Sequence, residues 1–466
     1  MNRKKVQEKL RLSFSFQPTS EQEEIINYIS EFVSTIGNRS IFILKGYAGT
    51  GKTTLISALV KSLPLLNKRS ILMAPTGRAA KVLSKYSKKF ASTIHKKIYW
   101  IRTNKSGNTF IKLKENTHSN TIFIVDEASM IAESSDKGFG NRSLLDDLIK
   151  YVYMGSDCKL ILVGDKAQLP PVHLELSPAL NEKTLELNYN KQVICKELTK
   201  VIRQSKKSLI LENATQLREK IANNDYTYPK FLTSSEVIRI NSAEDLQEFL
   251  ENAYVRDGIN NTAILCRSNK RANQYNQQIR MKIRWQENEI SSGDKLMVVR
   301  NNYFWLKEKR NEFIANGDIV EVIKIKETIE RYGFRFAKAS IRMTDYNNEN
   351  ELDVILLLDT LTSETPAITY EQYKKLYSEV RLDYKGEKEI NKKIKENQFF
   401  NALQIKFSYA ITCHKSQGGQ WQNVFVDLGY FEEKMLDKSY LRWLYTACTR
   451  ASHNLYLINF NNNFFR

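Results

Sequence analysis

Cysteine is scarce in this chain of 466 residues: Cys158, Cys195, Cys266, Cys413 and Cys448 stand far apart, with no CxxC pair and no histidine at ligand spacing. That spacing excludes a zinc site and a disulfide framework, and it fits a reducing compartment. Long apolar runs are missing as well, so no membrane span is expected. The opening segment, MNRKKVQEKLRLSFSFQ, is basic but has no continuous apolar core of the signal-peptide kind, which predicts a cytoplasmic protein. Low-complexity tracts and solenoid repeats are absent. No acidic cluster of nuclease character accompanies the Asp-Glu pair described below. Negative charge is the minority sign: 52 Asp and Glu face 71 Lys and Arg, a net charge of +19. Such a field concentrates polyanions, with nucleic acid foremost. A hydrophobic fraction of 42%, with 23 Tyr and 22 Phe, argues for a globular chain with more than one core.

Three strand-loop segments carry phosphate chemistry. IFILKGYAGTGKTTLISALVKSL joins an apolar strand to a G-x-x-x-x-G-K-T loop and a helix, the Walker A arrangement in its required context. Gly46, Gly49, Thr50 and Gly51 turn backbone N–H groups toward phosphate oxygens; Lys52 reaches the β- and γ-phosphates, and Thr53, followed by Thr54, offers a hydroxyl to Mg²⁺. TIFIVDEASMI ends an apolar strand in two acids, with Asp126 placed to hold the metal and Glu127 to activate water. KLILVGDKAQLPPV presents Gln168, a donor and an acceptor together, suited to sensing the γ-phosphate or orienting water. Arg203 in LTKVIRQ and Arg450 in YTACTRA are candidates for neutralising charge on the transferred phosphoryl group.

The ordered set TSEQ, GYAGTGKTT, APTGRAA, TIH, VDEASM, GDKAQLPPV, LTKVIRQ, ITCHKSQGGQW and YTACTRA, spread from residue 19 to residue 451, resembles superfamily 1 helicases, and within them the Dda/RecD-like branch, superfamily 1B. The resemblance implies that Gln22 recognises adenine, which makes ATP with Mg²⁺ the cofactor. It also implies nucleic-acid contacts at Thr76, Gly77 and Arg78, at Thr93 and His95, and at Thr412, His414, Lys415 and Gln417. The residues alone leave helix capping open for Thr76 and Thr93. One departure stands out: many relatives carry a glutamate where this chain has Gln420, so any ribose contact made through that carboxylate would be weaker here.

The same resemblance implies an α/β fold of two RecA-like domains with parallel sheets, a β-hairpin insertion (1B) and an SH3-like β-barrel insertion (2B). The expected boundaries are 1–91 and 121–200 for domain 1A, 92–120 for the pin hairpin, 201–288 and 401–466 for domain 2A, 289–365 for the barrel, and 366–400 for a helical segment. That last stretch reads equally as an arm packed on the barrel or as a solvated connector. IYWIRTNKSGNTFIKLK reads as a hairpin around Asn104–Asn108, and the resemblance makes it a wedge at the duplex junction, with Trp100 and Phe110 as the aromatics in question. The implied activity is ATP-driven 5′→3′ movement on single-stranded DNA with strand separation. A translocating or remodelling ATPase that does not separate strands, and an RNA helicase, are the alternatives. Replication or recombination proteins are the further partners expected, with a monomer as the working unit and a nucleoid-associated setting in a bacterial or phage-infected cell.

Overall fold

The computed structural model describes residues 2–14, 16–37, 40–103, 109–132, 143–202, 208–306, 313–344 and 351–466, and of 101–103 and 109–111 the backbone alone. Among these residues no helix is long and apolar enough to cross a membrane. The tip of the expected hairpin and Arg203 lie outside the described residues.

The apolar run before the Walker loop is continuous because its strand is covered on both faces. In β1 (Ser40–Gly46), Phe42 and Leu44 enter one core with Ile25 and Leu55, while Ile41 and Ile43 enter another with Leu148 and Leu160. After β1 come β2 (Arg69–Ala74), β3 (Ala91–Thr93), β4 (Tyr99–Thr103), β5 (Thr109–Leu113), β6 (Thr121–Val125), β7 (Lys159–Gly164) and β8 (Gln192–Leu198). Six of these strands form a parallel sheet in the order β3-β2-β6-β7-β1-β8. The order sets β6, β7 and β1 side by side, so the loops leaving their carboxyl ends share one edge. β4 and β5 stand apart as an antiparallel pair, with Trp100 opposite Lys112 and Arg102 opposite Phe110. The base of this hairpin is anchored, since the buried Tyr99 donates its hydroxyl to Asp147 Oδ2 at 2.9 Å.

The second half holds β9 (Val237–Ile240), β10 (Thr262–Cys266), β11 (Lys295–Val298), β12 (Ile319–Arg331), β13 (Phe334–Met343), β14 (Glu351–Leu357), β15 (Leu403–Phe407), β16 (Ala410–Thr412), β17 (Trp421–Asp427) and β18 (Ala451–Ile458). Five of them make a second parallel sheet, β16-β10-β17-β18-β9, and β11 to β15 close into a barrel. The chain is therefore two RecA-like α/β domains with a β-barrel insertion. The barrel differs from expectation in one strand. β15 falls in the stretch expected to be RecA-like, yet it pairs with β11 and β14 and shuts the barrel. Its five residues are all buried, and such a run carries no local sign of which sheet it joins. The helices Tyr370–Leu382 and Ile390–Glu396 bury Leu376, Val380 and Ile394 against Phe336 and Leu357 of the barrel, so the segment is a packed arm.

Candidate nucleotide site and nucleic-acid interface

A cleft of about 1640 Å³ opens between the two parallel sheets, lined by Lys52, Thr53, Asp126, Glu127, Gln168 and Arg450. The first domain supplies five of these from its adjacent strand ends, and the second supplies Arg450 from the turn after the helix Lys438–Cys448. Lys52 closes the loop on itself, donating from Nζ to the carbonyls of Gly46 and Tyr47, the latter at 2.8 Å. Gly49 and Gly51 sit at φ 73° and 86°, left-handed values that glycine takes without strain.

Asp126 accepts from Glu127 N at Oδ1 (2.9 Å) and from the hydroxyl of Tyr86 at Oδ2. Tyr86 had no sequence signal, because it approaches from the helix Gly77–Ser87, remote from any phosphate motif. Burial raises the Glu127 carboxyl to about 7; Asp126 and Asp165 push the same way, while Arg450 and Lys52 oppose. Glu127 Oε1 lies 3.9 Å from Arg450 Nη1. Arg450, 4% exposed, is held from two sides, by Nε on Thr446 O of the helix that precedes it at 3.1 Å and by Nη1 on Gly419 O of the loop before β17 at 3.2 Å. Gln168 is 6% exposed and its Oε1 has no hydrogen-bond partner among the described residues.

Gln22 is 2% exposed, not the surface residue that its position on a helix would give by default. Its Oε1 accepts from Thr19 N at 3.0 Å in a capping box, while Nε2 is buried with no hydrogen-bond partner among the described residues. That amide packs behind the phosphate loop: a Cβ on Gly51 would meet Gln22 Nε2 at 2.6 Å and Ile202 Cδ1 at 2.5 Å. Gln22 therefore adjoins the cleft without lining it. The glycine cradle, the Gln22 Nε2, which has no partner among the described residues, and the oxygens of Thr53 and Asp126 fit a nucleoside triphosphate with a hard cation. Among the described residues no group of three or more His, Cys, Asp or Glu could hold a metal.

The residues expected at nucleic acid fall into a less uniform set. Thr76 caps its helix by accepting from Ala79 N at 3.2 Å, and Thr93 does the same for Lys96 N at 3.2 Å. Capping, the alternative left open by the sequence, is thus what both hydroxyls do, and Thr93 is 2% exposed. Arg78 stacks on Trp421 of the second domain at 3.8 Å, and a Cβ on Gly418 would strike Ala79 Cβ at 2.4 Å. This stretch is consequently a seam between the domains. Gln417 is buried and donates to Leu169 O at 2.7 Å, tying its loop to the one that carries Gln168. Thr412 makes no capping hydrogen bond, His414 is exposed, and burial brings Lys415 down to about 8. His95 packs near Tyr99, with ring centroids 5.8 Å apart. Trp100 is 37% exposed with Lys114 Nζ 4.8 Å from its ring centroid; burial, then Lys97, lowers Lys114 to about 8. The side chain of Phe110 lies outside the described residues.

Family models match in two places: an AAA domain over residues 19–231 and a UvrD-like helicase C-terminal domain over residues 407–458. The ATP-dependent DNA helicase Dda of Enterobacteria phage T4 is 27% identical over 61% of this chain and 63% of its own length. The ATP-dependent DNA helicase Pif1 of Campylobacter jejuni is 25% identical over 88% of this chain and 86% of its own. A solved structure of two Pif1 helicases coordinating on forked double-stranded DNA shares the fold, with a TM-score of 0.50 and 17% identity over 97% of this chain and 94% of that one. With its phosphate loop, acid pair and arginine gathered in one cleft between two RecA-like sheets, and with an AAA domain and a UvrD-like helicase C-terminal domain matched in that order, the chain is similar to the superfamily 1B helicases of the Dda/RecD-like branch.

Proposed function

We propose that the chain is an ATP-dependent DNA helicase that moves 5′→3′ along single-stranded DNA and separates strands at the duplex junction. The observation that carries this reading is Arg450 of the second domain standing 3.9 Å from Glu127 of the first, across the cleft that Lys52 and Asp126 line. Hydrolysis sited at such a seam couples chemistry to the spacing of two domains.

ATP enters the cleft with its phosphates over the Gly46–Thr53 loop, where Lys52 exchanges loop carbonyls for phosphate oxygens. The Nε2 of Gln22 is the donor available to the adenine side. Thr53 and Asp126 are the residues that would hold Mg²⁺, which when bound neutralises phosphate charge. Glu127, raised toward neutrality, takes the proton of the attacking water, and Gln168 Oε1 orients that water. Arg450 stabilises the charge spreading over the phosphoryl oxygens. Single-stranded DNA lies across both domains, touching Thr76, Thr412, His414 and Lys415 mostly through its backbone, because a translocase must tolerate any sequence. Strand separation falls to the hairpin of β4 and β5. The working unit is a monomer, with replication or recombination proteins as further partners.

The test is ATP hydrolysis without polynucleotide, with single-stranded DNA and with single-stranded RNA. DNA should stimulate turnover more than RNA does. Glu127→Gln should keep ATP binding and lower turnover about 10²-fold or more. Stronger stimulation by RNA would contradict the substrate, and persistent turnover in Glu127→Gln would remove Glu127 from the base role.

A further inference from the structure

The cleft is crossed by a second link, built on Tyr445 rather than on Arg450. Tyr445 lies on the helix Lys438–Cys448 of the second domain and is 1% exposed. Its hydroxyl donates to Asp165 Oδ2 at 2.7 Å and accepts from Ala48 N at 2.8 Å. Ala48 sits in the phosphate loop between Gly46 and Gly49, and Asp165 begins the loop that carries Gln168. One oxygen from the second domain thereby joins two catalytic loops of the first.

The surroundings make this a set joint. Asp165, 1% exposed, uses its other oxygen to accept from Ala167 N at 2.9 Å. The next residue of the helix, Thr446, accepts from Leu169 N at 2.8 Å, so two consecutive residues grip the Gln168 loop at two places. The carbonyl of Thr446 also receives Arg450 Nε at 3.1 Å, so the turn that grips the loop aims the arginine. Burial and the facing Asp165 hold the Tyr445 phenol well above its ordinary range, which keeps the proton needed for donation to the carboxylate.

We propose that Tyr445 is a positioning residue for hydrolysis. Its hydroxyl fixes the Ala48 amide and the Asp165 loop to the helix that carries Arg450, so the arginine is in place only when both loops are in register. Domain separation breaks this joint and withdraws the arginine in one movement. The proposal rests on the reading of the chain as a DNA-stimulated ATPase, and it adds the element that makes the two domains report to the phosphate loop.

The experiment uses the full chain and compares wild type, Tyr445→Phe, Asp165→Asn and the double variant. Melting temperature is read first, then kcat and KM for ATP with saturating single-stranded DNA. Tyr445→Phe keeps the ring and removes only the shared oxygen. Each single variant should lower kcat about tenfold while KM for ATP stays within about twofold, and the double should fall no further than the lower single, because both changes break one joint. A folded Tyr445→Phe with kcat unchanged overturns the proposal, as does a double variant whose loss is the product of the two. A merely structural role would lower the melting temperature and leave turnover per folded molecule unaltered, which also overturns it. Should Tyr445→Phe not fold, Asp165→Asn carries the kcat-against-KM comparison alone. Wild type lacking DNA-stimulated hydrolysis sinks the functional reading and the joint together, whereas stimulated wild type with unaffected variants sinks the joint alone.

Discussion

Gly51 shows how tightly single residues are specified in the cleft. At φ 86° a side chain is disfavoured by about 1–2 kcal/mol, and a Cβ there would also press into Gln22 and Ile202. Gly51→Ala should therefore lower stability by at least that amount and weaken ATP binding, as read by denaturant melting and by nucleotide titration; a variant with wild-type values of both would contradict the tight seat. The parts of the site legible in sequence are those whose meaning is local. Lys52, Asp126, Glu127 and Gln168 each follow an apolar strand within a short motif, and Arg450 lies in a motif of its own. Tyr445 and Asp165 are 280 residues apart, and Tyr86 and Asp126 are 40 apart, so neither hydrogen bond has a spacing that sequence can reveal. Thr76 and Thr93 illustrate the opposite difficulty: one hydroxyl suits a phosphate and a helix cap equally, and only the fold shows capping at work.

Among the elements, the hairpin of β4 and β5 is the one to which strand separation is assigned in the proposed function. It joins the body through Tyr99 and through Lys114 N donating to Ile98 O at 2.7 Å, both at its base. Deleting residues 102 to 110 should therefore spare that base, leave DNA-stimulated ATP hydrolysis within about twofold, and abolish strand displacement, since local openings far from a core cost the whole little. Unwinding that survives the deletion would remove the hairpin from the wedge role. The two strands were readable from alternating β-formers around a polar, glycine-bearing loop. The barrel was harder. Four of its strands follow one another in the insertion, whereas β15 returns after the arm and differs in no local property from the RecA-like strands that succeed it. Sheet membership is settled by long-range pairing, as in the parallel partnership of Leu356 with Leu403, and pairing of that kind leaves no periodic trace.

Across the whole molecule, the two parallel sheets meet along a seam made of Arg78 on Trp421, Gln417 on Leu169 O, Tyr445 on Asp165 and Ala48, and Arg450 beside Glu127. The seam joins the candidate nucleic-acid loops to the nucleotide cleft, which is the connection a motor needs between its track and its fuel. The net charge of +19 adds a long-range attraction for the track. Hydrolysis at this seam is proposed to separate DNA strands with a fixed direction, and strand displacement with ATP on duplexes bearing a 5′ single-stranded tail, a 3′ tail or no tail reads that direction. Displacement from the 5′-tailed duplex alone is the predicted result. Displacement only from the 3′ tail, or none from any duplex while DNA still stimulates hydrolysis, would rule out a 5′→3′ strand-separating motor.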